Sequence, residues 1–276
     1  MQITRDKEGG HNDMPDQQST AYQADKVDYL TQITRLFGGY KRRAIEFMNL
    51  QPGVSILDAG CGTGDDLIAI GKQLGPAVQL TGVELLPELV TEARKRAEAA
   101  GVPVTFHEGD LYQLPLETDT IDRARTDRVF QHLEQPAEAL AELIRVTKPG
   151  GWVVVAEVDW GTLVLDHPMV ELTDKIAAFY RDRQPNGRAG RGLYRLFKKS
   201  PLTQVEVYAD AVCITDWTIA RFIWGIDAML NKVASAGLIS PEDSAQWLQR
   251  GQESASAGTF CGSMTGFIVR GQVAKA

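Results

Sequence analysis

Apolar positions along residues 54–158 follow two different periods in turn, and these periods predict alternating strands and helices. Short apolar and β-branched runs predict strands at 54–58, 78–84, 104–107, 120–126 and 152–158. Apolar residues at helical spacing predict helices at 65–74, 87–100 and 136–146. This alternation predicts an α/β fold in which helices cover both faces of a mostly parallel sheet.

Weaker patterns precede this segment. Residues 1–19 are polar and show no period, so we expect a flexible tail. Residues 20–50 carry apolar positions at helical spacing, interrupted by Gly38-Gly39. This pattern predicts two helices, which we expect to cover the functional site as an N-terminal lid.

The pattern also changes after residue 158, where a long loop through residue 168 is expected. Further helices are predicted at 172–181, 217–236 and 241–252, and further strands at 204–215 and 266–270. We therefore expect one domain over 20–276, in which inserted helices at 216–256 add to the cover of the site.

Composition and charge narrow the classes of partner. The 276 residues are 43% hydrophobic, and 29 basic against 36 acidic residues give a net charge of −7. Without a basic surplus, nucleic acid is a poor partner. No apolar run approaches the roughly 18 residues of a membrane span, so no membrane partner is expected. The sequence carries no signal for the oligomeric state.

Cysteine and histidine usage argues against a metal site. The three cysteines form no CxxC pair, and the four histidines are scattered. This usage predicts a reducing, cytoplasmic setting. Asp127 and Asp159 end neighbouring predicted strands and could together hold a divalent cation, but the pattern is incomplete and we expect no metal.

A glycine-rich sequence, Asp58-Ala-Gly60-Cys-Gly62-Thr-Gly64, joins the first predicted strand to a helix. Glycines let the backbone turn tightly and let a ligand lie against it, and the helix N-terminus offers free N–H groups. Such a loop can also be a plain connection between a strand and a helix. It predicts a ligand site only together with other features.

Two acidic residues supply those features. Glu84 ends the second predicted strand, at the place where doubly wound folds put a carboxylate that accepts hydrogen bonds from ribose hydroxyls. Asp110 follows the third strand and could accept from an exocyclic amine, or could simply cap a turn. Asp58 would repel a pyrophosphate on the glycine loop, which argues against a nicotinamide cofactor.

Five segments in order resemble the class I S-adenosylmethionine-dependent methyltransferases. They are VSILDAGCGTGDD at 54–66, GVELL at 82–86, EGDLYQLPL at 108–116, TDRVFQHL at 126–133 and RVTKPGGWVVVAEVDW at 145–160. The segments QHL and PGG are similar to the small-molecule branch around the ubiquinone and menaquinone methyltransferases. The resemblance implies a Rossmann-like, doubly wound sheet of seven strands with an antiparallel last strand, which GFIVRGQV at 266–273 would supply.

The resemblance also implies S-adenosyl-L-methionine as cofactor and a small molecule as methyl acceptor. The glycine loop would face the methionine end, Glu84 the ribose and Asp110 the adenine. The cofactor-binding residues expected on this basis are Tyr22, Asp58, Gly60, Gly62, Gly64, Glu84, Leu85, Asp110, Leu111, Asp127 and Gln131.

The reaction expected is methyl transfer to an oxygen, nitrogen or carbon of a small cyclic or aromatic metabolite. His132 and His167 are the candidate general bases, and each could instead be structural. Two alternatives have the same binding motifs: an enzyme of this fold that catalyses cyclisation or decarboxylation without consuming the cofactor, and a non-enzymatic binding protein.

Overall fold

In a computed structural model of the protein, which describes residues 38–275, seven strands form one sheet in the order β3-β2-β1-β4-β5-β7-β6. The strands are β1 Ser55–Ala59, β2 Gln79–Glu84, β3 Thr105–Glu108, β4 Ile121–Asp127, β5 Thr147–Leu165, β6 Thr203–Ile214 and β7 Gly262–Gln272. The first five are mutually parallel, whereas β7 runs antiparallel to both β5 and β6. This arrangement confirms the predicted Rossmann-like sheet with an antiparallel last strand.

Helices lie on both faces of the sheet. Those in the described part of the chain are α1 Gly38–Phe47, α2 Asp65–Leu74, α3 Pro87–Ala100, α4 Pro136–Val146, α5 Val170–Arg183, α6 Ala189–Lys198, α7 Trp217–Ile223, α8 Ile226–Ser235 and α9 Pro241–Ser256. The apolar faces of α1, α2, α3, α5, α7, α8 and α9 form one buried core, and α4 and α6 form the other. None of these helices is long and apolar enough to span a bilayer.

Local sequence explains where the central elements begin and end. All five residues of β1 are buried, as expected of a central strand covered on both sides. Proline occupies the first turn of α3 and of α4, where its missing N–H costs no hydrogen bond. Because β1, β2, β4 and β5 are parallel, their carboxyl ends meet at one edge of the sheet.

Two predictions of secondary structure are corrected. The loop expected after residue 158 is instead the second half of β5, which continues because Val164 pairs with Ser263 of β7. The single helix expected over 217–236 is two helices, because Gly225 adopts a φ of 59° between them. Gly38 and Gly39 are the first two residues of α1, and the residues before them lie outside the described part of the chain, so the predicted break between two helices stays a prediction.

Some expectations lie outside the described residues. These are the tail at 1–19, Tyr22 and the first of the two predicted lid helices. The single domain over 20–276 stays a prediction.

Candidate functional site

A cleft of about 780 Å³ crosses the carboxyl edge of the sheet. It runs from the ends of β2 and β3 across β1 and β4 to β5 and β7, following the strand order. Eight of the site residues expected from the sequence line it: Gly60, Glu84, Leu85, Asp110, Leu111, Asp127, Gln131 and His132. Asp58, Gly62, Gly64 and His167 do not.

The glycine loop wraps the end of β1 in a conformation that requires glycine. Gly60, Gly62 and Gly64 all have positive φ, at 76°, 54° and 75°. A Cβ on Gly60 would lie 2.4 Å from the Val129 side chain, in the loop that follows β4. The backbone of Gly60 therefore leaves no room for a side chain. A Cβ on Gly62 would meet no atom within 4 Å, so this side of the loop is open. The loop therefore presents bare backbone at the start of α2.

Glu84 holds the glycine loop and faces the cleft at the same time. One carboxylate oxygen, Oε2, accepts from the N–H of Gly62 at 2.9 Å. The other, Oε1, accepts from the N–H groups of Leu85 at 2.9 Å and Leu86 at 3.1 Å. The side chain is fixed at the cleft wall, with lone pairs available for a hydroxyl donor.

Asp110 sits at the β3 end of the cleft and also caps a turn. Its Oδ1 accepts from the N–H of Tyr112 at 2.9 Å, as the structural alternative supposed. Leu111 beside it is buried, and Tyr112 lines the same wall. An acidic group beside the apolar side chains of Leu111 and exposed Leu85 has the chemistry of a base-binding site.

Asp58 lies beneath the cleft and belongs to a buried ionic cluster. Arg125, 2% exposed, extends Nη1 to 3.3 Å from Asp58 Oδ2 and 3.1 Å from Asp66 Oδ2. Its Nη2 lies 3.4 Å from Asp127 Oδ2, and Lys41 pairs with Asp66 at 2.7 Å. Arg125 thereby ties β1, the first turn of α2 and the end of β4 together.

Burial and these neighbours shift the ionisation of the cluster. Burial raises the pKa of Asp58 to about 7, although Arg125 acts to lower it. Burial also acts to raise the pKa of Asp66, but Arg125 and Lys41 outweigh it and hold that pKa well below its usual range. The pKa of Arg125 itself is raised, because the three aspartates outweigh the effect of burial. Arg125 therefore stays charged.

Asp127 ends β4 and lines the cleft, and one of its carboxylate oxygens, Oδ1, is buried without a hydrogen-bond partner in the described chain. Arg128 Nε lies 3.8 Å from this oxygen. A buried carboxylate oxygen that lacks a donor calls for one from a ligand. Asp127 therefore suits a cofactor that brings an ammonium group to the β4 part of the cleft.

Gln131 connects the middle of the cleft to β5. Its Oε1 accepts from Trp160 Nε1 at 2.6 Å, and its backbone N–H donates to Glu157 Oε2 at 2.9 Å. Glu157 is fully buried, and burial raises its pKa to about 8. Gln131 therefore orients the indole of Trp160, which lines the cleft.

The two candidate bases lie in different surroundings. His132, in the 3-10 turn Phe130–His132, lines the cleft, and burial together with Arg128 lowers the pKa of its ring. His167 is buried and stacks on Trp247 at 4.4 Å. Its Nδ1 accepts from the N–H of Met169, so Nε2 carries the proton and donates to Trp247 O at 3.0 Å. With both ring nitrogens occupied away from the cleft, His167 is corrected to a structural residue.

Asp159 is likewise structural. It is fully buried, does not line the cleft, and forms a bidentate ion pair with Arg191. Its oxygens also accept from the N–H groups of Gly161 and Arg191. These contacts occupy the carboxylate that could have joined Asp127 in a cation site.

Sequence reasoning missed Arg125 and Glu157, which support the site from below its surface. Arg125 had a signal, because an arginine inside a predicted strand of a sheet covered on both faces needs acidic partners. Glu157 offered the same signal within the apolar run of β5. Trp160 lines the cleft, whereas the buried Trp217 and Trp224 do not.

Comparison with known families gives a match to a methyltransferase domain over residues 50–199. An uncharacterised 37.1 kDa protein of a Streptomyces fradiae transposon is 35% identical over 252 residues, covering 90% of this chain and 71% of that protein. Demethylmenaquinone methyltransferase of Staphylococcus aureus is 33% identical over 133 residues. That alignment covers 48% of this chain and 55% of the enzyme, so it spans only about half of each.

Solved structures share the fold at low sequence identity. A protein of Bacillus halodurans described as a methyltransferase aligns with a TM-score of 0.59 at 14% identity, covering 85% of this chain and 99% of that one. Geranyl diphosphate methyltransferase in complex with S-adenosylmethionine aligns with a TM-score of 0.56 at 18% identity, covering 94% and 92%. The (4+2)-cyclase SpnF aligns with a TM-score of 0.53 at 20% identity, covering 95% and 85%.

Proposed function

The chain belongs to the class I S-adenosylmethionine-dependent methyltransferases of the small-molecule type, and from that premise we propose that it methylates an oxygen, nitrogen or carbon of a small cyclic or aromatic metabolite. The observation that carries the proposal is the cleft itself. It holds acidic groups at the ends of β2 and β4 and an aromatic wall at β5, all at one sheet edge.

The cofactor half of the cleft suits the polar groups of S-adenosyl-L-methionine. We assign Glu84 to the ribose hydroxyls, and Asp110 with Leu111 and Leu85 to the adenine. The unpartnered oxygen of Asp127 is assigned to the ammonium group of the methionine end. When bound, this cofactor supplies an electrophilic methyl group on a sulfonium.

The remaining residues would align the acceptor and manage its proton. Methyl transfer from a sulfonium is an in-line displacement, so positioning contributes a large part of the rate. His132 lines the cleft with a ring that burial and Arg128 keep neutral, which is the form that can accept a proton. We therefore assign the general base to His132.

A cyclising enzyme is the second candidate function. Its support is the fold shared with the cyclase SpnF, and at 20% identity this likeness concerns the fold alone. Such an enzyme would bind the cofactor in the same cleft without releasing its methyl group. The methyl balance of the reaction separates the two functions.

That balance can be measured directly. The protein is incubated with isotopically labelled S-adenosylmethionine and a small-molecule extract of the source cell, and products are read by mass spectrometry. Methyl transfer predicts one labelled methyl group in a product for each S-adenosylhomocysteine released. A product that appears without label or S-adenosylhomocysteine would support cyclisation, and Glu84→Ala serves as the cofactor-site control.

The proposal includes a cellular location and a class of binding partner. All three cysteines are free thiols, which supports a reducing, cytoplasmic location. The net charge of −7 supports a small molecule rather than a nucleic acid as the partner.

A further inference from the structure

The cleft changes in chemical character from one end to the other. At the β2 and β3 end, Glu84 and Asp110 place carboxylates on its wall. At the β5 and β7 end, the wall consists of Val158, Trp160 and Met264. If the first end takes the polar cofactor, the second suits an apolar, flat acceptor body that can lie against an indole.

A single cation stands between these two ends. Of the described residues that line the cleft, Arg128 alone carries a lysine or arginine side chain. It follows β4 directly, and its N–H donates to Ala156 O of β5 at 2.9 Å. Its side chain is 25% exposed, and its Nε lies 3.8 Å from Asp127 Oδ1. The guanidinium is therefore beside the carboxylate assigned to the cofactor.

The backbone of Arg128 is strained. Its φ of 57° lies in the left-handed region, which is unfavourable for a residue with a side chain. Glycine or asparagine would fit there more easily, and such strain is typical of functional positions. The conformation places an arginine on the cleft wall where the fold alone would favour a smaller residue.

The charges around Arg128 favour an anion once the cofactor is bound. Among the described residues, the acidic side chains near it include Asp127 and Glu157, and burial raises the pKa of Glu157 to about 8. Arg128 also acts on the titratable groups of Tyr40 and His132. A sulfonium cofactor that pairs its ammonium with Asp127 adds positive charge to the cleft. An acceptor that presents a negatively charged oxygen is then the electrostatic complement.

We propose that Arg128 binds the ionised oxygen of the methyl acceptor, which is an acidic hydroxyl, a phenol or enol, on an apolar ring. This inference rests on the proposed function. The acceptor hydroxyl gives its proton to His132, and the oxygen held by Arg128 forms the new bond to the methyl carbon. The carbon–sulfur bond breaks with its electron pair on sulfur, so S-adenosylhomocysteine leaves and the acceptor becomes a methyl ether.

The test uses 4-nitrophenol as a probe, because its phenolate is coloured and reports its own ionisation. The full-length protein is first saturated with S-adenosylhomocysteine, and the pKa of the bound probe is then read by absorbance titration. Arg128 should lower that pKa by about 1–3, so the phenolate binds about tenfold to a thousandfold more tightly than the phenol. Nitrobenzene lacks the hydroxyl, so its binding affinity should not depend on Arg128.

Three variants test whether the Arg128 side chain itself lowers the pKa of the bound probe. Arg128→Met should abolish the lowered pKa of the probe, Arg128→Lys should keep part of it, and Arg188→Met, which removes an exposed arginine paired with Asp182, should leave it unchanged. The affinity for S-adenosylhomocysteine should change by less than about threefold in all three. A probe pKa equal to that in water, no binding by the loaded protein, or a lowering that survives in Arg128→Met would overturn the inference. Failure to bind S-adenosylhomocysteine would instead overturn the proposed function.

Discussion

Arg125 lies directly opposite Asp58 in the register of β4 and β1, and its Nη1 is 3.3 Å from the Asp58 carboxylate. The same guanidinium also contacts Asp66 and Asp127. One buried cation therefore pairs with carboxylates of β1, α2 and β4 around the glycine loop. A buried ion pair is weak evidence for net stability, yet removing one partner leaves uncompensated charge.

We therefore predict that Arg125→Met lowers the free energy of unfolding by about 3–5 kcal/mol, the usual cost of leaving a buried charge unpaired. Denaturant unfolding measures this change. Arg188→Met is the matched control, because its ion pair with Asp182 is exposed and should contribute little to stability. Equal effects of the two substitutions would contradict the central role of Arg125.

Glu157 should make stability depend on pH. Its pKa is about 8 in the folded protein and near 4.5 when exposed, so the folded state holds a proton that the unfolded state has lost. Stability contributed by that proton is present at low pH and falls as pH rises towards 8. His132 and His167, whose pKa values are lowered by burial, are neutral in both states above about pH 7.

Between about pH 7 and about pH 8.5, unfolding free energy should therefore fall with pH in the natural protein, by at most about 1.4 kcal/mol per pH unit for this group. Glu157→Gln should show a smaller slope in the same window. Parallel slopes for the two proteins would show that Glu157 does not hold its proton.

Substitutions of His132 and His167 should have different effects, one on the rate of methyl transfer and the other on stability. His132→Ala should lower the rate of methyl transfer by about 10²–10⁴ while cofactor affinity stays nearly constant, as expected of a general base. His167→Ala should leave the rate of the folded enzyme within about tenfold but lower stability by about 1–3 kcal/mol, since it removes two hydrogen bonds and leaves Met169 N–H without its acceptor. A small rate effect in His132→Ala would point to catalysis by positioning alone.

Substitutions at two glycines with positive φ test whether the open side of the glycine loop contributes to cofactor binding. Gly62→Ala and Gly53→Ala each place a Cβ at positive φ with no atom within 4 Å, so each should cost about 1–2 kcal/mol of stability. Only Gly62 belongs to the loop beneath Glu84. Calorimetry should find S-adenosylmethionine binding weakened in Gly62→Ala and unchanged in Gly53→Ala.

Local spacing was enough to predict the glycine loop, Glu84 and Asp110, because each follows its strand within a few residues. Local spacing could not predict the Arg125 cluster, because Arg125 contacts Asp58, 67 residues away in sequence, through the register of their strands. The prediction of His167 as a candidate general base was wrong because of a local feature of β5. Its position after a strand suggested the sheet edge, but β5 continues to Leu165 and carries the ring to Trp247, 80 residues further along.

The most direct test of the account is a calorimetric titration of S-adenosylmethionine and of NAD into the natural protein and into Glu84→Ala. The natural protein should bind S-adenosylmethionine more tightly than NAD, and loss of the Glu84 carboxylate should weaken that binding by about 1–3 kcal/mol. Tighter binding of NAD by the natural protein, or an unchanged affinity for S-adenosylmethionine in a folded Glu84→Ala variant, would contradict the assignment of the cleft.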